Sequence, residues 1–277
     1  MGVIEQLKAG QAVFEWCPLY SEFQGYKLKM AVPREAIKFP TVVAVHGEPE
    51  TRLVRREVTA IDTQKAADFL FGMMMTPKLV DLVHLQATVR IDPIVRIDGD
   101  ICANSTDVRH SELIDKALVG KDTGSGLVST EGKIWGLVNY LAGEPRTLLY
   151  GAHTACNYGW VNSHEGHLAV TPGLHAWQSP GHQHNDLHKD PSQVLYVVYG
   201  AGELTYPDGT IEVVRMRDVA TNARLAPLIS HEGPLKYLRQ AAVPAPADPF
   251  GDVLVGDDGL LMLPVGIYNA PNFIGVT

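Results

Sequence analysis

The sequence predicts an α+β fold of mixed type, with helices grouped in the first half of the chain and a mainly antiparallel sheet in the second half. Apolar residues recur at helical spacing between residues 62 and 87, whereas short apolar runs bounded by turn residues follow residue 147. The 277 residues are 45% hydrophobic and 19% charged, which is typical of a globular protein with a sizeable core. This composition also argues against extensive disorder.

We expect one globular domain over the whole chain, because no internal repeat or clear linker divides it. The texture of the sequence nevertheless changes along this domain. The domain comprises residues 1–277. Its possible parts are a β-rich N-terminal part (1–60), a core (61–240) and a wrapping tail (241–277).

In the first half, β-branched content and alternation predict strands over residues 26–32 and 40–47. Helical spacing predicts a helix within 62–75, and its three methionines are expected to fill the core. Thr76 as N-cap and Pro77 at the first helical position predict a second helix, so we expect an αα-hairpin.

Residues 108–120 predict a third helix, which ends near Gly120. In the second half, apolar runs predict strands over 147–153 and 192–200. A hairpin over 202–216 is expected to turn at Pro207-Asp208-Gly209. Residues 217–230 have helical composition, but a proline within them should end or kink the helix.

Charge and targeting signals restrict the class of protein. A formal net charge of −8 argues against nucleic-acid binding, which usually needs a basic face. No signal peptide is present in the given chain, and no window reaches the roughly 18 apolar residues of a membrane span. Three widely spaced cysteines indicate a reducing compartment. We therefore expect a cytoplasmic protein with a small-molecule or peptide substrate, no nucleic-acid or membrane partner, and a composition compatible with a homo-oligomer.

Histidines are concentrated in one part of the chain. Seven of the 11 histidines lie within residues 153–188. If residues 182–186 are extended, His182, His184 and Asp186 point to the same side, and His188 can extend the set. Imidazole and carboxylate ligands suit zinc best, otherwise iron or manganese, and a metal-bound water with a lowered pKa can hydrolyse an amide or ester.

Other readings of the same residues stay open. Without a metal, His184 could act as general base oriented by Asp186 or Asp190, with Cys156 either as nucleophile or as a small buried hydrophobe. The His-x-His pair before a strand and a Gly-rich hairpin also resembles the first motif of a cupin, although the second cupin motif is missing. His84 lies on the apolar face of its predicted helix and is expected to be a core histidine.

Residues 55–235 resemble an uncharacterised family of bacterial proteins with no established activity. The resemblance rests on "TPKLVDLVHLQA", "STDVRHSELIDKAL", "LYGAH", "HNDLHKDPSQVLYVV" and "LAPLISHEG". It implies a Tyr-Gly-x-His segment paired with His-x-Asp-x-x-x-Asp-x-Ser, an early histidine in the third helix and a lysine after the Gly-rich loop. The matching residues are Tyr150, Gly151, His153, His184, Asp186, Asp190, Ser192, His110 and Lys133. The family usually has histidine after the serine, where this chain has Gln193.

These observations predict a hydrolase that acts on an amide or peptide-like bond, with or without a metal. His153 and His184 are predicted ligands or acid/base groups, and Asp186 and Asp190 supply a ligand or an orienting carboxylate. His110 and Lys133 are predicted to stabilise an oxyanion. The alternative is a non-catalytic binding or assembly protein, part of a larger particle, in which the same His/Asp cluster is structural.

Overall fold

The computed structural model describes most of the chain, in eight segments. They cover residues 1–94, 106–124, 126–129, 131–139, 155–162, 166–181, 187–189 and 191–236. The helices are α1 Val3–Lys8, α2 Ala60–Phe69, α3 Pro77–Gln86, α4 Thr106–Leu118 and α5 Met216–Thr221, with a 3-10 helix at Ala226–Leu228.

The strands in this part of the chain are mostly short. They are β1 Trp16–Phe23, β2 Tyr26–Pro33, β3 Phe39–Val45, β4 Glu48–Val54, β5 Met73–Met74, β6 Val89–Arg90, β7 Val128–Ser129, β8 Lys133–Leu137, β9 Ala155–Asn162, β10 His167–Leu168, β11 His175–Gly181, β12 Val197–Val198, β13 Ala201–Thr205 and β14 Ile211–Arg215. Two four-stranded sheets have the orders β1-β2-β13-β14 and β10-β11-β9-β8, and three two-stranded sheets pair β12 with β5, β3 with β4 and β6 with β7.

The predicted α+β arrangement, with helices first and one antiparallel sheet second, is wrong. The described part of the chain is rich in strands, and its five small sheets are spread along the sequence. One of the two largest sheets joins β2 from the beginning of the chain to β13 from the end, with Met30 opposite Gly202. The helices do lie mostly in the first half. Local periodicity identifies a strand but not its distant partner, so it could not predict this sheet.

Several individual elements confirm the local predictions. The predicted strands over 26–32 and 40–47 correspond to β2 and β3, and the predicted hairpin corresponds to β13 and β14. α3 begins after Thr76, whose hydroxyl accepts a hydrogen bond from the Leu79 amide at 3.2 Å. α4 ends at Leu118, close to the predicted end. α5 ends before Pro227, which lies in the 3-10 helix.

Other local predictions are wrong. Met73 and Met74 form strand β5 instead of continuing α2, although they are buried core residues as expected. This strand separates α2 from α3, and the helices pack on different elements: α2 on α1 and β5, α3 on β9 and β1. They therefore do not form the predicted αα-hairpin. Of the strand predicted over 192–200, only β12 is a strand. The predicted strand over 147–153 and the tail 241–277 lie outside the described residues.

One continuous core connects most of the elements. It contains Leu7 of α1, Leu28 of β2, Leu79 of α3, Trp135 of β8 and Val197 of β12. The sheet of β8 to β11 packs one face on α3, and its other face carries the polar side chains of Lys133 and Asn157. Among the described residues, no helix has the length and apolar character needed to cross a bilayer.

Candidate functional site

The predicted site residues divide into two groups in the structure. His110, Lys133 and His188 are described, together with Ser192 and Gln193 of the family-like segment. The remaining predicted residues lie outside the described part of the chain; they are His153, His182, His184, Asp186 and Asp190.

Lys133 lies beside the segment that carries Ser192 and Gln193. The Lys133 amide donates to the Ser192 carbonyl at 2.7 Å, and the Val194 amide donates to the Lys133 carbonyl at 2.9 Å. These two bonds form a parallel bridge that places Gln193 next to the first residue of β8. Two regions that are almost sixty residues apart in the sequence, both implied by the family resemblance, are thus neighbours in space.

Gln193 in turn orients a buried asparagine of β9. The Gln193 side-chain amide donates from Nε2 to Oδ1 of Asn157 at 2.9 Å. Its backbone is held on the other side, where the Val58 amide donates to the Gln193 carbonyl at 3.1 Å. Gln193 is fully buried and Asn157 is only 3% exposed. A buried pair of amides fixed from both sides is a rigid polar element in a low-dielectric environment.

The backbone of β9 is strained beside Lys133. Gly159 is opposite Lys133 and has a φ of +153°, and a Cβ atom there would be 2.7 Å from the Gly132 carbonyl oxygen. Trp160 follows with a φ of +54°, a conformation that is rare for a bulky residue. Such strain persists only where the surroundings enforce it, and it is concentrated at functional sites.

The Trp160 ring contacts the Lys133 side chain. Nζ of Lys133 is 5.4 Å from the ring centroid, within the range of a cation–π interaction. Lys133 is 9% exposed, which is uncommon for a lysine, and Trp160 is also buried. We refer to Lys133, Asn157, Trp160 and Gln193 as the Lys133 cluster.

Residues 55–58 connect this cluster to α4 and to His188. The Arg55 amide donates to the Ser111 hydroxyl at 3.1 Å, next to the fully buried His110. The Val58 amide donates a hydrogen bond to the Gln193 carbonyl. Glu57, between them, forms an ion pair with Lys189 at 3.2 Å, and Lys189 follows the half-buried His188. Segment 55–58 therefore borders all three described residues that were predicted for the site, or their immediate neighbours.

The side chain of Arg55 fixes the chain just before Lys133. The guanidinium is fully buried and bonds to Glu131 at 2.6 Å, to Asp115 at 2.6 Å and to Glu35 at 2.7 Å. Burial alone would lower the pKa of Arg55, but the charges of Glu131 and Asp115 outweigh it and raise that pKa. Glu131 also accepts hydrogen bonds from the Ala36 amide at 2.6 Å and from the Tyr196 hydroxyl. Strand β8 thus begins at Lys133, two residues after a firmly anchored carboxylate.

Two further buried polar groups lie on α3. The Asp81 carboxylate accepts from the Tyr158 hydroxyl at 2.5 Å and from the Thr171 amide at 2.7 Å, and burial raises the pKa of Asp81. These bonds hold the turn after β10 on the helix. Nδ1 of His84 is 3.0 Å from the Ser129 hydroxyl, so this histidine is a hydrogen-bonded core residue as expected.

The buried His84 predicts a pH dependence of stability. Burial, followed by the charge of Arg90, lowers the pKa of His84 from 6.5 to about 4. Between these pH values the unfolded chain binds more protons, so the free energy of unfolding should fall as the pH decreases from 6.5 to 4. We expect His84→Gln to remove roughly 2 kcal/mol of this fall, the order of magnitude that the pKa shift implies. Urea unfolding at several pH values checks this. If the free energy of unfolding fell equally with pH in the wild type and in His84→Gln, the prediction would be contradicted.

The structure fits the interpretation of Cys156 as a small buried hydrophobic residue better than its interpretation as a nucleophile. Its side chain is fully buried in β9, and burial, with a smaller contribution from Glu232, raises the pKa of the thiol. A thiol with a raised pKa supplies little of the reactive thiolate. Nothing in the described geometry therefore makes Cys156 reactive.

Asn157 and Trp160 lie in the candidate site and were missed by sequence reasoning. A weak signal was available, because an asparagine inside an otherwise apolar run and a glycine before a tryptophan are both unusual in a buried strand. A metal centre gains no support from the described residues, among which no three His, Cys, Asp or Glu side chains are arranged around a common point. Three of the four predicted metal ligands, His182, His184 and Asp186, lie outside these residues.

Comparison with known proteins identifies no relative. No protein-family model matches the chain, and neither the curated proteins nor the solved structures contain a match. The resemblance to the uncharacterised bacterial family stays a prediction.

Proposed function

We propose that this protein is a hydrolase of an amide or peptide-like bond, with its active site at the Lys133 cluster. The observation that carries the proposal is the buried Lys133, which lies over Trp160 beside a strained stretch of β9 backbone and next to Asn157 and Gln193. Buried cations, fixed amides and backbone strain in one place are typical of catalytic sites.

In the proposed reaction Lys133 stabilises the oxyanion that forms when the carbonyl carbon is attacked. A positive charge stabilises an oxyanion more strongly in a buried site than in water, because the surrounding dielectric is low and the charged group does not have to reorient during the reaction. The Asn157 amide can contribute a second hydrogen bond to the same oxygen. Rigid attachment of Gln193 and Gly159 would keep both donors in place.

The acid/base chemistry is assigned to residues that the sequence analysis predicted for the site. His153 and His184 are proposed to activate water and protonate the leaving amine, with Asp186 or Asp190 orienting them. His110 is proposed as a second cation near the oxyanion. A divalent metal, zinc most readily, is an optional part of this proposal, held by His182, His184, His188 and Asp186, where it would lower the pKa of a bound water.

The bacterial family resemblance and a cytoplasmic location are part of the same proposal. A peptide or other small amide fits a protein that, by its charge, has no nucleic-acid partner. The family-like segments supply Lys133, Ser192 and Gln193, which are in contact in the structure. This contact supports the idea that those segments form one site.

An activity screen with controlled metal content tests the proposal. The purified protein is incubated with chromogenic amides, short peptides and esters, first with chelator and then with added zinc, iron(II) or manganese. We expect cleavage of at least one amide, and metal dependence if the histidine segment binds a metal. Absence of cleavage under every condition, with a metal that is released only on unfolding, would contradict the hydrolase and favour a binding or assembly protein.

A further inference from the structure

Asn157 has a hydrogen-bond donor without an acceptor. Its Oδ1 atom accepts the bond from Gln193, so its Nδ2 group points away from that residue. Nδ2 is buried and has no partner in the part of the chain that the structure describes. A buried amide that lacks a partner costs free energy, and native proteins keep few of them. An acceptor supplied by a ligand would explain why this one is kept.

A second buried donor is found three residues further along the same strand. The Trp160 indole Nε1 is also buried and also lacks an acceptor among the described residues. The face of this indole is occupied by the Lys133 ammonium. Ammonium, amide N–H and indole N–H groups are all donors and have no acceptor capacity. A ligand for this place must therefore bring acceptor oxygens.

The sheet register brings Lys133 and Asn157 to one face. Lys133 is opposite Gly159, and Trp135 is opposite Asn157, so Lys133 and Asn157 are diagonal neighbours on adjacent strands. Gly159 lets the two strands approach closely there, because a Cβ atom at this position would be 2.9 Å from Cα of Lys133. Gln193 touches both, through the backbone bridge to Lys133 and the side-chain bond to Asn157. The donors are therefore held by the sheet itself and do not depend on a surface loop.

We propose that Lys133 and Asn157 form a carboxylate-binding site, with Gln193 as the residue that positions Asn157. The identity of this anion rests on the proposed function. Hydrolysis breaks the C–N bond of the amide and forms a C–O bond from water, which gives a carboxylate and a protonated amine. The oxygen that was stabilised as an oxyanion becomes an oxygen of this carboxylate, so the same donors bind the product. Small carboxylates are therefore inhibitors of the enzyme.

Acetate is the probe that tests the site without any turnover. It is titrated into ¹⁵N-labelled protein at constant ionic strength, and two signals are followed: the Asn157 side-chain amide and the Trp160 indole N–H. The first is identified by its loss in Asn157→Asp and the second by its loss in Trp160→Phe. We expect both signals to move and to saturate in the millimolar range, as for one charge-assisted site.

Asn157→Asp replaces the free donor by a negative charge but keeps an acceptor for Gln193. We expect the affinity for acetate, read from the Trp160 signal, to fall by about tenfold or more. The matched control is Asn222→Asp, which adds the same charge at an exposed residue after α5 and should bind acetate like the wild type. If Asn157→Asp does not fold, Asn157→Leu, of similar size and without a donor, gives the same comparison.

The outcomes separate this inference from the proposed function. Unmoved signals in the wild type, or equal affinity in Asn157→Asp, overturn the carboxylate site even if the protein cleaves amides. Acetate binding that depends on Asn157 supports the site even if no amide is cleaved, and in that case only the hydrolase is contradicted.

Discussion

Replacing Arg55 by methionine is expected to lower the free energy of unfolding by about 3–5 kcal/mol, because it leaves the Glu131 carboxylate buried without its cation. The Glu131 side chain has no contact with solvent, so water cannot replace the lost partner. Asp115 and Glu35 would lose the same cation, but they are partly exposed and can be hydrated. Methionine keeps much of the volume of the arginine stem, so the loss reports mainly the charge.

The matched control for this prediction is Arg52→Met in the neighbouring β4. Arg52 forms ion pairs with Glu50 at 2.9 Å and Glu112 at 2.8 Å, but these lie at the surface. Exposed pairs contribute little to stability, so this variant should unfold at nearly the wild-type urea concentration. Equal losses of stability in the two variants would contradict the role given to burial.

A double variant tests whether the charge is the cause. In Arg55→Met with Glu131→Gln, the neutral amide still offers an acceptor to the Ala36 amide and the Tyr196 hydroxyl. No uncompensated charge remains buried, so the double variant should be more stable than Arg55→Met alone. A further loss of stability would show instead that Glu131 contributes chiefly through its own hydrogen bonds.

The parts of the fold that the sequence predicted are those governed by neighbouring residues. Thr76 and Pro77 start α3 because the cap and the proline act within one turn. Pro207-Asp208-Gly209 closes the β13–β14 hairpin for the same reason, with Gly209 at a φ of +88°. The pairing of β2 with β13 and the separation of α2 from α3 depend on contacts between distant residues, which periodicity does not record.

Only part of the candidate site could be predicted, for a related reason. Lys133 and Gln193 were singled out only through the family resemblance, and the structure brings their backbones together. Asn157 and Trp160 lie in a segment whose apolar neighbours predict an ordinary strand, and their importance depends on the contacts with Gln193 and Lys133. Burial and partners of a polar residue are tertiary properties, so one sequence gives only a weak signal for them.

Lys133→Met is expected to reduce kcat/KM for a cleaved amide by about 100-fold to 1000-fold, the usual loss when one oxyanion donor is removed. Methionine has a similar length and can still pack on Trp160, so the variant should remain folded, and its melting temperature is measured beside its activity. The loss should appear in kcat more than in KM, because the ammonium interacts most strongly with the charge that develops in the transition state.

Two further variants decide between a catalytic and a structural role for Lys133. Lys27→Met removes an exposed lysine of β2, in the other large sheet, and should leave kcat/KM unchanged. Lys133→Arg keeps the positive charge but replaces a compact ammonium by a planar guanidinium, so it should recover only part of the activity. If Lys133→Met instead lost stability and activity together, and Lys133→Arg restored both, the ammonium would act through packing on Trp160 and the oxyanion role would be wrong. A drop in kcat at unchanged stability, together with weaker acetate binding by the same variant, ties the charge of Lys133 to the reacting oxygen.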